Sequence, residues 1–103
     1  MAVGEVTDAT FESDVLRSER PVIVDFWAPW CVPCRRVSPI LEEMSESRED
    51  VAFVKVNVDD NPQAAMNYSI SSIPTIARFE EGQVIQKAIG ALPKNQLSAQ
   101  LGL

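Results

Sequence analysis

The run Val22-Ile23-Val24-Asp25-Phe26-Trp27 constrains this chain more than any other segment. It is β-branched or aromatic on both sides of the two-residue alternation, the pattern of a strand covered on both faces. Such a strand lies in the middle of a largely parallel sheet, which needs helices packed above and below it. Through the turn Ala28-Pro29-Trp30 the run passes into Cys31-Val32-Pro33-Cys34, and there the apolar period becomes helical. Cys34, Val37, Leu41 and Met44 form one stripe, while Glu42, Glu43 and Glu46 lie outside it. Pro33 suits the first helical turn, and Pro39, inside the helix, predicts a kink. The unit is therefore strand, tight turn and helix, with two thiols at the junction.

The remaining segments extend the same architecture. Asp8 is placed to cap a short helix in which Phe11 and Val15 share a face, and Pro21 stops it. Val51 to Val58 reads as a second buried strand. Asn61-Pro62 is an N-cap followed by proline at the first helical position, opening a short helix toward Tyr68. Ile73-Pro74 leads into a strand from Thr75 to Phe79, Glu80-Glu81-Gly82 is a turn, and Gln83 to Ile89 is the antiparallel partner. A last helix from about Pro93 carries Leu97 and Leu101 on one side. With a short N-terminal strand, the expectation is an α/β fold: a central five-stranded mixed sheet flanked by four helices. The chain of 103 residues is long enough for one such domain, residues 1–103, and too short for two.

Composition narrows the chemistry. Fifteen acidic against nine basic residues leave a net charge of −6, which repels phosphate backbones and argues against nucleic-acid binding. No apolar run approaches a membrane span, and Met1-Ala2-Val3-Gly4-Glu5 has neither the basic nor the apolar region of a signal peptide. A reducing compartment, by default the cytoplasm, is the expectation. A structural zinc site wants four ligands, and a chain with two cysteines and no histidine could supply them only between subunits. We expect no metal and no cofactor.

The two thiols carry the chemistry. A helix N-terminus offers free N–H groups and a partial positive charge, which favour a thiolate over a thiol. Residues three apart on a helix place their Cβ atoms ~5–6 Å apart, and a disulfide needs ~3.5–4.5 Å, so a small adjustment closes the pair. Cys34 continues the apolar stripe and should point inward, as the resolving thiol. Cys31 precedes the first turn and should be the more exposed sulfur, the nucleophile. A static structural disulfide is the plainer alternative; closing so short a loop in a reducing compartment would add little. Asp25, inside a strand covered on both faces, should have its pKa raised by desolvation, making it a proton acceptor for Cys34. The rival role for Asp25 is a buried carboxylate that only organises local hydrogen bonds. Lys55 interrupts the Val51 to Val58 run and is the candidate partner of Asp25; the rival reading is a lysine whose amine reaches solvent at the sheet end.

Val24-Asp25-Phe26-Trp27-Ala28-Pro29-Trp30-Cys31-x-Pro33-Cys34 followed by a basic residue closely resembles the thioredoxin family. Pro39, Asp59 before Asn61-Pro62, Ile73-Pro74-Thr75, Gly82 and Gly90-Ala91-Leu92 continue the resemblance along the whole chain. It implies strand order 1-3-2-4-5, with the last two strands antiparallel to the others, and a cis peptide before Pro74 opposite the dithiol. It implies a substrate rim of Trp30, Ile73 and Gly90, bordered by Val32, Pro33 and Pro74, with Trp27 packed beneath. It also implies a monomeric protein-disulfide reductase acting on disulfide-containing target proteins. A thioredoxin reductase, NADPH- or ferredoxin-linked, would recycle it. The chain departs from the family pattern at Val32, where glycine is usual, and at Arg35, Arg36, Ser71 and Arg78. Two other uses of such a fold stay open. A disulfide oxidase or isomerase commonly has histidine where Pro33 stands, and a non-catalytic binding subunit would not require Cys31, Cys34 and Asp25 together.

Overall fold

The computed structural model of the chain describes residues 3–103. Its sheet has five strands: β1 (Val3–Glu5), β2 (Val22–Trp27), β3 (Ala52–Asn57), β4 (Thr75–Glu80) and β5 (Gln83–Ile89). They lie in the order β1-β3-β2-β4-β5. The doubly apolar β2 is central, and Val22 to Phe26 are all buried. A π-helical segment (Glu12–Leu16) and helices α1 (Val32–Glu46), α2 (Pro62–Asn67) and α3 (Lys94–Gln100) cover the sheet.

Strand alternation divides the core into two halves. Val22, Val24 and Phe26 pack with Phe11, Val15 and Phe79 under the π-helical segment and α2. Phe11 is the hub of that side, with its ring 5.6 Å from both Tyr68 and Phe79 and 6.4 Å from Phe26. On the other side Ile23 packs with Val37, Leu41 and Met44 of α1 and with Leu97 and Leu101 of α3. Burying each such large side chain stabilises the fold by roughly 1.5–3 kcal/mol. The stripe of Val37, Leu41 and Met44 is thus the face by which α1 is docked, and it carries Cys34 with it.

Three expectations are corrected. Asp8 does not cap the segment that follows it. Its carboxylate accepts the Gln63 and Ala64 N–H groups, at 3.1 and 2.9 Å, and so caps α2 instead. Asn61, the residue at the N-cap position, instead accepts the Asp8 N–H at 2.8 Å. The segment after Phe11 is itself wound wider than an α-helix, with the Arg17 N–H bonded to the Glu12 carbonyl at 3.0 Å. Secondly, β4 alone runs against the rest of the sheet: it is antiparallel to β2, and β5, antiparallel to β4, returns to the direction of β1, β2 and β3. A two-residue turn at Glu81-Gly82 with φ of 52° and 79° forces that reversal. Thirdly, β3 is shorter than Val51 to Val58, and Val54 and Lys55 are only half-buried, because the three-residue β1 covers its edge incompletely.

Two N–H groups bonded to one carboxylate make the Asp8 cap worth more than a single neutral hydrogen bond. Asp8→Ala should cost about 1–2 kcal/mol, seen as a lower urea midpoint at unchanged slope. An unchanged midpoint would mean that solvent satisfies the start of α2 equally well.

Arg78, an unexpected charge in β4, finds its reason on the α3 face. It donates to the Leu101 and Gly102 carbonyls at 2.8 and 2.9 Å and to Glu80 at 2.8 Å. A guanidinium here satisfies carbonyls that the end of α3 leaves unpaired.

Candidate active site

The end of β2 feeds directly into the site. The Cys31 N–H bonds back to the Ala28 carbonyl at 3.1 Å, and that turn delivers Cys31 to the N-cap of α1 with an extended backbone (φ −87°, ψ 107°). Pro33 stands in the first turn, where its missing N–H is no loss. Cys31 and Cys34 form a disulfide, with Cα atoms 5.2 Å apart. The Cys34 N–H donates to Cys31 Sγ at 3.2 Å, so the sulfur occupies the place that a serine or aspartate oxygen takes at an ordinary N-cap. A donor aimed at that sulfur, at the positive end of a 15-residue helix, favours its thiolate when the pair is reduced.

Neither cysteine is exposed: Cys31 is 4% and Cys34 2% accessible. The expected openness of Cys31 is corrected here. Ala28, Trp27, Val58 and Ile73 close around the pair, and the Ile73 carbonyl oxygen lies 3.8 Å from Cys31 Sγ. The accessible groups are the neighbours, Trp30 at 66% and Val32 at 48%. The Trp30 indole is held by Asp59, whose two carboxylate oxygens accept its N–H at 3.0 and 3.2 Å. That role of Asp59 was not read from the sequence; its signal was an exposed acid just ahead of Asn61-Pro62.

The Ile73–Pro74 peptide is cis, and Pro74 is buried. Gly90 donates its N–H to the Pro74 carbonyl at 2.9 Å, joining the end of β5 to this segment. At Gly90 φ is +95°, a conformation that a side chain would strain. Trp27, half-buried, packs beneath the disulfide as expected.

Asp25 shares the sheet face of Ile23, which puts it under α1 at the carboxyl end of β2. Across the sheet its register neighbours are Lys55 and Ile76. Burial pushes its pKa from 3.8 up to about 7, against the opposing pull of the Lys55 charge. The Lys55 ammonium stands over the Trp27 ring, 5.1 Å from its centroid. Asp25 Oδ1 and Trp27 Nε1 are buried with no hydrogen-bond partner among the described residues. The sequence thus brought Asp25, Lys55, Trp27 and the dithiol to one end of one sheet face.

The thioredoxin family model matches residues 2–102. The chain belongs to the thioredoxin family. It is 49% identical over 102 residues to the thioredoxin of Pyropia yezoensis, covering 98% of this chain and 95% of that one. It is 50% identical over 101 residues to thioredoxin 1 of Nostoc sp. strain PCC 7120, covering 97% and 94%. Thioredoxin of Streptomyces clavuligerus is 50% identical over 92 residues, covering 89% and 86%. Like other thioredoxins the chain is a protein-disulfide reductase whose redox-active pair is Cys31 and Cys34. Its partners are disulfide-containing proteins and a reductase that recycles it. No helix among the described residues is long and apolar enough to cross a membrane.

Proposed function

We propose that this thioredoxin domain, residues 1–103, acts as a monomeric cytoplasmic reductase in which Cys31 attacks and Cys34 resolves. The observation that carries the assignment is the Cys34 N–H donated to Cys31 Sγ at the α1 N-terminus. The target lies on Trp30, Val32, Ile73 and Gly90, with Pro33 and Pro74 bordering the sulfurs. The Cys31 thiolate attacks one target sulfur, and the other target sulfur leaves as a thiolate and takes up a proton. Cys34 then gives its proton to the Asp25 carboxylate, through water, and attacks Cys31 Sγ. The target sulfur bonded to Cys31 leaves as a thiolate and takes up a proton, so that the Cys31–Cys34 disulfide forms and two electrons have passed from dithiol to target. Lys55 acts on this step through Asp25, holding the pKa of that carboxyl lower than burial alone would set it. An NADPH- or ferredoxin-linked reductase returns the two electrons.

Equilibration against a glutathione redox buffer tests the direction of the reaction. A potential at or below that of the reducing glutathione pool supports a reductase, and a far more oxidising one supports an oxidase on the same fold.

Val32, exposed at the first position of α1, should affect recognition more than potential. Valine is favoured over glycine there by roughly 0.5 kcal/mol. With ~1.4 kcal/mol equivalent to ~30 mV for a two-electron couple, Val32→Gly can move the potential by about 10 mV at most. Rates with individual target proteins should change several-fold, because a branched side chain beside the attacking sulfur is lost. The same buffer equilibration is the check: a shift above about 40 mV would mean that Val32 acts on the thiolate itself.

A further inference from the structure

The chain is acidic, with a net charge of −6, so nearly every cation should find an acid close by. Six of the nine lysines and arginines do have a partner within the described residues. Arg17, Arg48, Arg78 and Lys94 pair with carboxylates. Arg20 bonds the Glu49 carbonyl, and Lys55 stands over Trp27. Of the remaining three, Lys87 is alone on the edge strand, and the other two are adjacent: Arg35 and Arg36, exposed, directly after Cys34.

Their position works against the helix that carries them. α1 has no acid in its first turn and no base in its last. Its cations sit near the positive end of the helix dipole, and Glu42, Glu43 and Glu46 occupy the negative half. Arg35, at the edge of the first turn, is unfavourable there, and Arg36 adds a like charge beside it. No carboxylate stands three or four residues away to relieve them: those positions hold Cys31, Val32, Pro33, Ser38, Pro39 and Ile40, and Cys31 is an anion only when the pair is reduced. Two exposed cations at the mouth of an active site, with no carboxylate paired to them among the described residues, point to a partner outside the molecule.

We infer that Arg35 and Arg36 form a docking site for acidic residues flanking the disulfide of the target protein. Helical spacing puts both arginines on the side of Val32, one turn further along α1, beside the apolar rim. Asp59, holding the Trp30 indole, puts a negative charge next to Trp30. The acidic flank of the target therefore lies along α1 and not across Trp30. The overall charge of the protein does not cancel this attraction: at physiological ionic strength the screening length is ~8 Å, so distant acids are largely screened while charges in contact are not.

This inference rests on the reductase reading, and its test separates the two. Two otherwise identical peptides, each bearing one accessible disulfide, carry either three glutamates or three glutamines beside it. Pre-reduced protein is mixed with each in single turnover, and second-order rate constants are read at low salt and at 1 M NaCl. The glutamate peptide should react about fivefold or more faster at low salt, a preference that 1 M salt removes. In Arg35→Gln/Arg36→Gln the ratio should fall to about one, and in Arg35→Glu/Arg36→Glu it should invert. A ratio of one in the parent protein, or one that the double substitution leaves unmoved, overturns the inference. So does a double variant whose Cys31 alkylation profile shifts along the pH axis while both rates fall in proportion, because the arginines would then serve the thiolate. Failure of the parent to reduce either peptide would overturn the reductase reading itself.

Discussion

Cys34→Ser should convert the protein into a trap: mixed with a disulfide-bearing target, it is expected to accumulate as a covalent complex through Cys31, while Cys31→Ser should show no reduction at all. The asymmetry follows from the helix start. Only Cys31 Sγ receives the Cys34 N–H, and it sits at the N-cap, where the free amides and dipole favour a thiolate. Resolution needs the second sulfur already in place, with the two Cα atoms 5.2 Å apart. Effective molarities of well-oriented intramolecular groups reach about 10⁵–10⁸ M. Even a small fraction of that exceeds a millimolar external thiol by on the order of 10³ or more, so the complex should persist long enough for non-reducing electrophoresis and mass spectrometry. Preferential alkylation of Cys34 in the reduced protein, or normal turnover by Cys34→Ser, would reverse the roles.

Asp25→Asn is expected to stabilise the oxidised protein above neutrality and at the same time to slow it as a reductase. The folded-state pKa, about 7, lies above the ordinary 3.8, so folding favours the protonated carboxyl. Its contribution is fully present below pH 3.8 and is lost as the pH rises through about 7. At roughly 1.36 kcal/mol per pKa unit, carrying the ionised group in the fold at pH 8 costs about 4 kcal/mol. An amide avoids that cost, though it keeps a buried polar group. In a domain of this size 1 kcal/mol moves Tm by roughly 4–8 °C, so a gain on the order of 10 °C is expected at pH 8, shrinking as the pH approaches 4. Resolution of the mixed disulfide should be slowed below about pH 8, near the unperturbed thiol pKa, and recover above it. A Tm difference that does not change with pH would dispose of the burial argument, and equal resolution rates across the range would dispose of the proton transfer.

These expectations draw on features of different origin. The central strand, the helix bearing Cys34, Val37, Leu41 and Met44, the Glu81-Gly82 hairpin and the raised pKa of Asp25 were all legible in the chain. Each depends on residues a few positions apart: an alternation of two, a period near four, a two-residue turn, one acid in an apolar run. The strand order 1-3-2-4-5 came from family resemblance and not from any local pattern, and the direction of β5 followed only from its pairing.

Contacts between distant segments were a different matter. Asp8 caps a helix more than fifty residues away, and no spacing rule relates it to Ala64. Arg78 looked like a misplaced charge until the end of α3 came to rest beside it. Cys31, exposed by its place before the helix, is covered because Ile73 and Val58 arrive from other elements. Backbone conformation and side-chain period are local properties, so which elements form, which faces they bury and where the dithiol stands can be read along the chain. Accessibility, remote capping and charge compensation depend on which surfaces meet once the core has closed, and no local pattern encodes those meetings.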